Sequence, residues 1–119
     1  MAHFAQVVNG IVTQCLVVSN EDCNNLDFPE SEQVGQKYLL DCGFGEGWVQ
    51  TSYNGNFRKQ YANTNFLYDS VRDEFVSLKP FPSWSLDSEN NWQAPIPKPD
   101  GDFYWDEISL SWIENPIAE

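Results

Sequence analysis

Apolar and polar positions change period several times along this chain, and each change marks an element. His3 to Val8 and Ile11 to Val18 are β-branched and apolar runs separated by Asn9-Gly10. An Asn-Gly loop supplies two positions tolerant of positive φ, so this spacing predicts an antiparallel hairpin. The second arm is nearly continuous in apolar residues toward its end, which predicts a central strand covered on both faces. Ser19 to Asp27 is polar and reads as a loop. From about Glu30 to Cys42 the period becomes helical: Val34, Tyr38, Leu39 and Cys42 share one face, while Glu32, Gln36 and Lys37 point to water. Pro29 suits the first turn, Glu30 and Glu32 the positive end of the helix dipole, and Gly43 the residue just past the end.

Trp48 to Tyr61 alternates again, and Asn54-Gly55 offers a second turn. A hairpin is predicted there, with Arg58 and Lys59 on its return arm projecting to opposite faces. After Tyr61 a unit recurs. Tyr68-Asp69 is followed by Phe75, Leu86-Asp87 by Trp92, and Trp105-Asp106 by Trp112. Each Asp suits the start of a polar turn, because its carboxylate accepts loop N–H groups, and the flanking aromatics pair across strands. The linkers Lys79-Pro80-Phe81-Pro82 and Ala94-Pro95-Ile96-Pro97-Lys98-Pro99 cannot donate a continuous ladder and read as extended connectors. The fold class is therefore α+β, mainly β: an N-terminal antiparallel hairpin with one helix, followed by a meander of short aromatic β-hairpins joined by Pro-rich linkers. With 119 residues the expectation is a single domain, 1–119. Within it, 1–62 forms an α/β half, and 63–119 forms a hairpin-repeat half too small to be stable alone.

Charge narrows the partners. Six Lys and Arg against 18 Asp and Glu give a net charge of −12. Such a surface repels phosphate backbones and anionic lipid, so neither nucleic acid nor membrane is an expected partner. No stretch approaches the roughly 20 apolar residues of a membrane span, and the first residues lack a basic-then-apolar leader, so the expected site of synthesis is a cytosol. Cys15, Cys23 and Cys42 lack CxxC spacing and read as free thiols, with a Cys15–Cys23 bridge as the other arrangement.

Catalytic chemistry finds little to work with. His3 is the only histidine and lies at the chain end, so no Ser-His-Asp triad is expected. Asp69, Asp87 and Asp106 sit outside any D-x-D-x-D-G loop and read as turn caps rather than calcium ligands. Gly43-Phe44-Gly45-Glu46-Gly47 lacks the Lys and Ser/Thr of a phosphate loop and reads as a turn. No enzyme activity, cofactor, metal or catalytic residue is expected. Trp84, Trp92, Trp105 and Trp112 either form the core of the small hairpins or offer a stacking surface to a sugar or a protein, and most are expected to be core. Arg58, with Tyr53 and Tyr61, is the second candidate contact, as an attachment site or an intramolecular lock.

Several segments together carry a resemblance. They are Met1-Ala2-His3-Phe4-Ala5, the run Trp48-Val49-Gln50-Thr51-Ser52-Tyr53-Asn54-Gly55-Asn56 with Arg58-Lys59 and Tyr61-Ala62, and Lys79-Pro80-Phe81-Pro82-Ser83-Trp84. Trp92, Ala94-Pro95, Trp105-Asp106-Glu107 and Ser111-Trp112 continue the pattern. In these the chain resembles a family of small virion-associated structural proteins of marine tailed bacteriophages, chiefly those of cyanobacteria. The resemblance implies a non-enzymatic virion protein, assembled in the host cytoplasm. The expected role is decorating or cementing the outer capsid surface, with the major capsid protein, another virion protein or a further copy of itself as partner. Partner-binding residues are then Tyr53, Arg58, Tyr61, Trp84, Trp92, Trp105 and Trp112. The alternative is a tail-fibre or receptor-binding module that recognises host polysaccharide through exposed tryptophans. A third reading, a protein acting inside the infected cell, would use the −12 charge to imitate DNA.

Overall fold

The structure is a computed structural model and describes residues 1–116. The chain divides into two units, Met1–Leu78 and Lys79–Glu119. The internal division at 62/63 suggested by the sequence falls inside the first unit, because the first of the three aromatic hairpins joins the N-terminal sheet.

That sheet contains β1 (Ala2–Val8), β2 (Ile11–Val18), β3 (Trp48–Thr51), β4 (Leu67–Asp69) and β5 (Glu74–Val76), all antiparallel, in the order β3-β1-β2-β4-β5. Asn9 and Gly10 both take positive φ, 54° and 78°, and close the β1–β2 hairpin as expected. Alternation sorts the side chains onto two faces. Ala2, Phe4, Leu16, Val18 and Trp48 pack with Cys23 and Leu39 of the helical layer. Ala5, Val7, Cys15 and Val49 pack with Ala62, Phe66 and Phe75. Between Gln6↔Gln14 and Val7↔Val12 the register slips by one, leaving Thr13 as a bulge. The slip returns Val12 to the face of Ala5 and Cys15.

Strand β2 is central in the order but is not covered on both faces. Ile11, Thr13, Gln14 and Val17 are exposed, and the helix α1 (Glu30–Asp41) makes its main sheet contacts with β1 and β3. The helix itself has the expected length and a different phase. Its buried stripe is Ser31, Gly35 and Leu39, while Tyr38 and Cys42 are exposed and Glu32 and Gln36 turn inward. The cause is Phe4, a fully buried ring whose Cζ lies 2.1 Å from where a Cβ on Gly35 would stand. Gly43 ends the helix as read from the sequence: at φ 89° it lets its own N–H reach Leu40 O at 3.0 Å and that of Phe44 reach Leu39 O at 2.9 Å.

The hairpin expected over Trp48–Tyr61 does not form. Strand β3 ends at Thr51 and pairs with β1, and the turn at Asn54-Gly55 leads into an irregular loop. Arg58 and Lys59 sit in that loop at φ 55° and 74°, so they do not alternate along a strand.

The second unit holds two separate ribbons, β6 (Ser85–Leu86) with β7 (Trp92–Gln93) and β8 (Phe103–Asp106) with β9 (Ser111–Glu114). The fold is thus α+β and mainly β. The three cysteines are free thiols. Asp69 Oδ1 accepts the N–H groups of Val71 and Arg72, and Asp87 Oδ1 those of Glu89 and Asn91, the turn-capping role their positions suggest.

Candidate binding surfaces

Within the first unit, Arg58 is drawn inward. Its side chain is 10% exposed and lies over the Phe28 ring, 4.9 Å from the centroid, with Phe57 stacked on Phe28 at 3.8 Å. The guanidinium grips Glu32 with both terminal nitrogens and donates to Asp73 Oδ1 at 2.8 Å and to Gln50 O at 2.9 Å. The bidentate acidic contact suited to an arginine fork is therefore made within the chain. Glu32, read from the sequence as facing water, is its partner. Tyr53 and Tyr61 are not part of this lock.

The lock also closes the sheet. On the outer side of β3, Trp48 O accepts from Gln36 Nε2 at 2.7 Å, Gln50 N–H donates to Glu32 Oε2 at 2.8 Å, and Gln50 O accepts from Arg58. On the other edge, Phe75 N–H donates to Arg58 O at 3.2 Å and Phe75 O accepts from Gln60 Nε2 at 3.0 Å. One short loop thus satisfies main-chain groups on both edge strands.

Asp73 completes the cluster by accepting the Tyr68 hydroxyl and Arg58 Nε. Burial alone would raise the Asp73 carboxyl, but the bonds from Tyr68 and Arg58 outweigh it and hold the group below the usual carboxylate range. Burial first, and the bond to Asp73 second, push the Tyr68 hydroxyl up to about 12. A carboxyl depressed in the folded state contributes stability above its unfolded pKa and loses it as pH falls through the folded value. Urea unfolding between pH 6 and 3 is therefore expected to show the first unit weakening below about pH 4, and Asp73→Asn to flatten part of that slope. Asp73 is half exposed, so its share is at most about 1 kcal/mol.

His3 does not lie loose at the chain end: it belongs to β1 and packs against Tyr53 at 5.5 Å and Tyr61 at 5.6 Å, with the two tyrosines 5.3 Å apart. A groove of about 640 Å³ is lined by α1 and the Gly45–Val49 segment. Two of its polar side chains are already engaged, Gln36 on Trp48 O and Lys37 on Asp41.

In the second unit the tryptophans come together. Trp105 and Trp112 face each other across the β8–β9 pair at 5.3 Å and 71°, and each lies 6.1 Å from Trp84, which also meets Phe81. Trp105 is buried and donates from Nε1 to Glu107 Oε1, which also accepts the Ser83 hydroxyl. The Ser83 bond is the main cause holding the Glu107 carboxyl below its ordinary value. Trp112 Nε1 donates to Ile96 O at 2.8 Å, fastening the Pro-rich linker. Trp84, Trp92 and Trp112 then line a small concavity of about 190 Å³ with Ile96, Pro97 and Lys98. The Trp84 Nε1, buried, has no hydrogen-bond partner among the described residues.

Of the seven residues singled out from the sequence, four meet in the second unit, two meet at His3, and Arg58 is the internal lock. Recurring Trp and Tyr at hairpin positions signalled the first two groups. Nothing local signalled His3 or Phe28. Comparison with family models, with curated proteins and with solved structures gives no match.

Proposed function

We propose that this chain is a non-enzymatic structural component of a tailed-phage particle, attached to the outer capsid surface through its second unit. The observation that carries the attachment surface is the convergence of Trp84, Trp92 and Trp112 with Ile96 and Pro97 on one concavity. Aromatic anchors in a concave patch are the usual centres of protein contacts. The virion setting rests on the segments of sequence likeness described above. The tail-fibre reading, with tryptophans as sugar platforms, is less well supported. Trp84, Trp105 and Trp112 meet at 60° to 80°, with Trp105 buried, so their rings do not present a row of parallel faces to successive sugars.

The test is mass spectrometry of purified virions, followed by binding of the free protein to emptied capsids at low and high salt. The protein is expected in virions, and Trp92→Ala is expected to weaken capsid binding about ten-fold or more. Absence from virions, or full binding by this variant, overturns the reading.

A further inference from the structure

The first unit carries a second concavity, of about 480 Å³, at the end of β3 beside the Asn54-Gly55 turn. This volume falls in the roughly 300 to 1,000 Å³ range of small-ligand sites. Its lining includes three aromatic rings, His3, Tyr53 and Phe57, and the exposed amides of Asn54 and Asn56. Thr51 and Ser52 also line it but are buried, their hydroxyls accepting the N–H groups of Ala62 and Asn56. Among the described residues that line it there is no Asp, Glu, Lys or Arg side chain, in a chain that carries 18 acids and 6 bases; Met1, with its α-ammonium, is the one charged neighbour in that lining. Burial first, and the positive charge of the nearby chain N-terminus second, lower the His3 pKa and favour its neutral form.

The site is built in advance. Tyr53 is 67% exposed, yet its ring is held by His3 at 30° on one side and by Tyr61 at 63° on another. The turn that presents the asparagines is fixed by Gly55 N–H to Ser52 O at 3.0 Å and Asn56 N–H to Ser52 Oγ at 2.9 Å.

We propose that this pocket binds a neutral saccharide, one sugar ring lying on Tyr53 with its hydroxyls on the Asn54 and Asn56 amides. A sugar has an apolar C–H face for an aromatic ring and a rim of hydroxyls that both donate and accept, and an amide side chain answers both. An anionic ligand would find no Lys or Arg side chain in the pocket, only the α-ammonium of Met1, and a nucleotide would bring phosphate to a chain of net charge −12. A purely apolar ligand would strand the Asn54 and Asn56 amides without partners. The site is separate from the tryptophan concavity and does not depend on capsid attachment.

The full chain, ¹⁵N-labelled, is titrated with maltotriose, cellotriose and tri-N-acetylchitotriose, with trigalacturonate as the charged comparison. At least one neutral trimer is expected to shift the amides of Ser52 to Asn56 saturably, with a Kd of about 1 mM or tighter. It should bind more tightly than trigalacturonate. Tyr53→Ala and Asn54→Ala are each expected to weaken that binding about five-fold or more, with the rest of the amide spectrum unchanged. Because Tyr53 touches His3 and Tyr61, Asn54→Ala alone decides if the tyrosine variant unfolds. Absence of saturable shifts from all three neutral trimers at about 20 mM, shifts mapping elsewhere, tighter binding of trigalacturonate, or undiminished binding by the folded variants overturns the proposal.

Discussion

Replacing Arg58 by alanine is expected to cost the first unit about 3 to 5 kcal/mol, the range for removing one partner of a desolvated ion pair. Its side chain is 10% exposed and that of Glu32 19%, so the carboxylate left behind cannot rehydrate fully. The same truncation removes the donor on Gln50 O and the cation over Phe28. Arg58→Lys should recover only a minor part, since an ammonium cannot hold both oxygens of Glu32 while reaching Asp73. Arg58→Gly separates side chain from backbone: it relieves the left-handed conformation at φ 55° and should still lose most of the stability. The measurement is denaturant-dependent amide exchange at Phe4 and Gln50, with Glu32→Gln closing a double-mutant cycle. A loss below about 1 kcal/mol would reduce the lock to an ordinary surface pair.

Gly35→Ala is expected to destabilise the first unit as well, although alanine is the better helix former by about 1 kcal/mol. The added methyl would lie 2.1 Å from Phe4 Cζ and 2.6 Å from Cε2, and the ring is fully buried. Overpacking of this kind costs about 1 to 3 kcal/mol, and a fully buried ring that cannot turn aside puts this site at the upper end, so about 3 less the helix gain of about 1 leaves a net loss of about 2 kcal/mol. Calorimetry should show the melting temperature of the first unit falling by roughly 8 to 16 °C, at about 4 to 8 °C per kcal/mol. Phe4→Leu frees the space that the methyl needs, so the double variant should be more stable than the sum of the two losses. Strict additivity would mean that the contact between Gly35 and Phe4 is not the cause.

The sequence made legible those features whose cause is local. Asn9-Gly10 supplies its own turn, Gly43 its own helix end, and Asp69 and Asp87 their own caps. The helix phase was hidden because hydrophobicity displays neither a cradle nor a buried polar pair: Gly35 is buried for what it lacks, the ring it makes room for being Phe4, far back in the chain, and Ser31 is buried with its hydroxyl on Gln50 Oε1. The Asn54-Gly55 turn formed without its hairpin for a related reason. A return strand would have carried Arg58 along an exposed ribbon, whereas the loop places its guanidinium between Glu32 and Asp73. Likewise Tyr68-Asp69 reads as an independent ribbon until Ile11 is seen to pair with Leu67. Among the surfaces, the aromatic positions were legible as residues but not as groups. What assembles Trp84 with Trp112, or His3 with Tyr53, is spatial pairing that no spacing encodes.

The loop that closes both edges of the sheet has a consequence for how the chain leaves the ribosome. The group that covers Gln50 O is Arg58, only 8 residues later, so this carbonyl of the β3 edge, whose neighbours are covered by the earlier Gln36 and Glu32, stands open for on the order of one second at about 5 to 20 residues per second. The β5 edge is never exposed in this way, because Gln60, its cover, has emerged 15 residues before Phe75 arrives. Nascent chains made side by side on one message therefore have little time in which to join strand to strand.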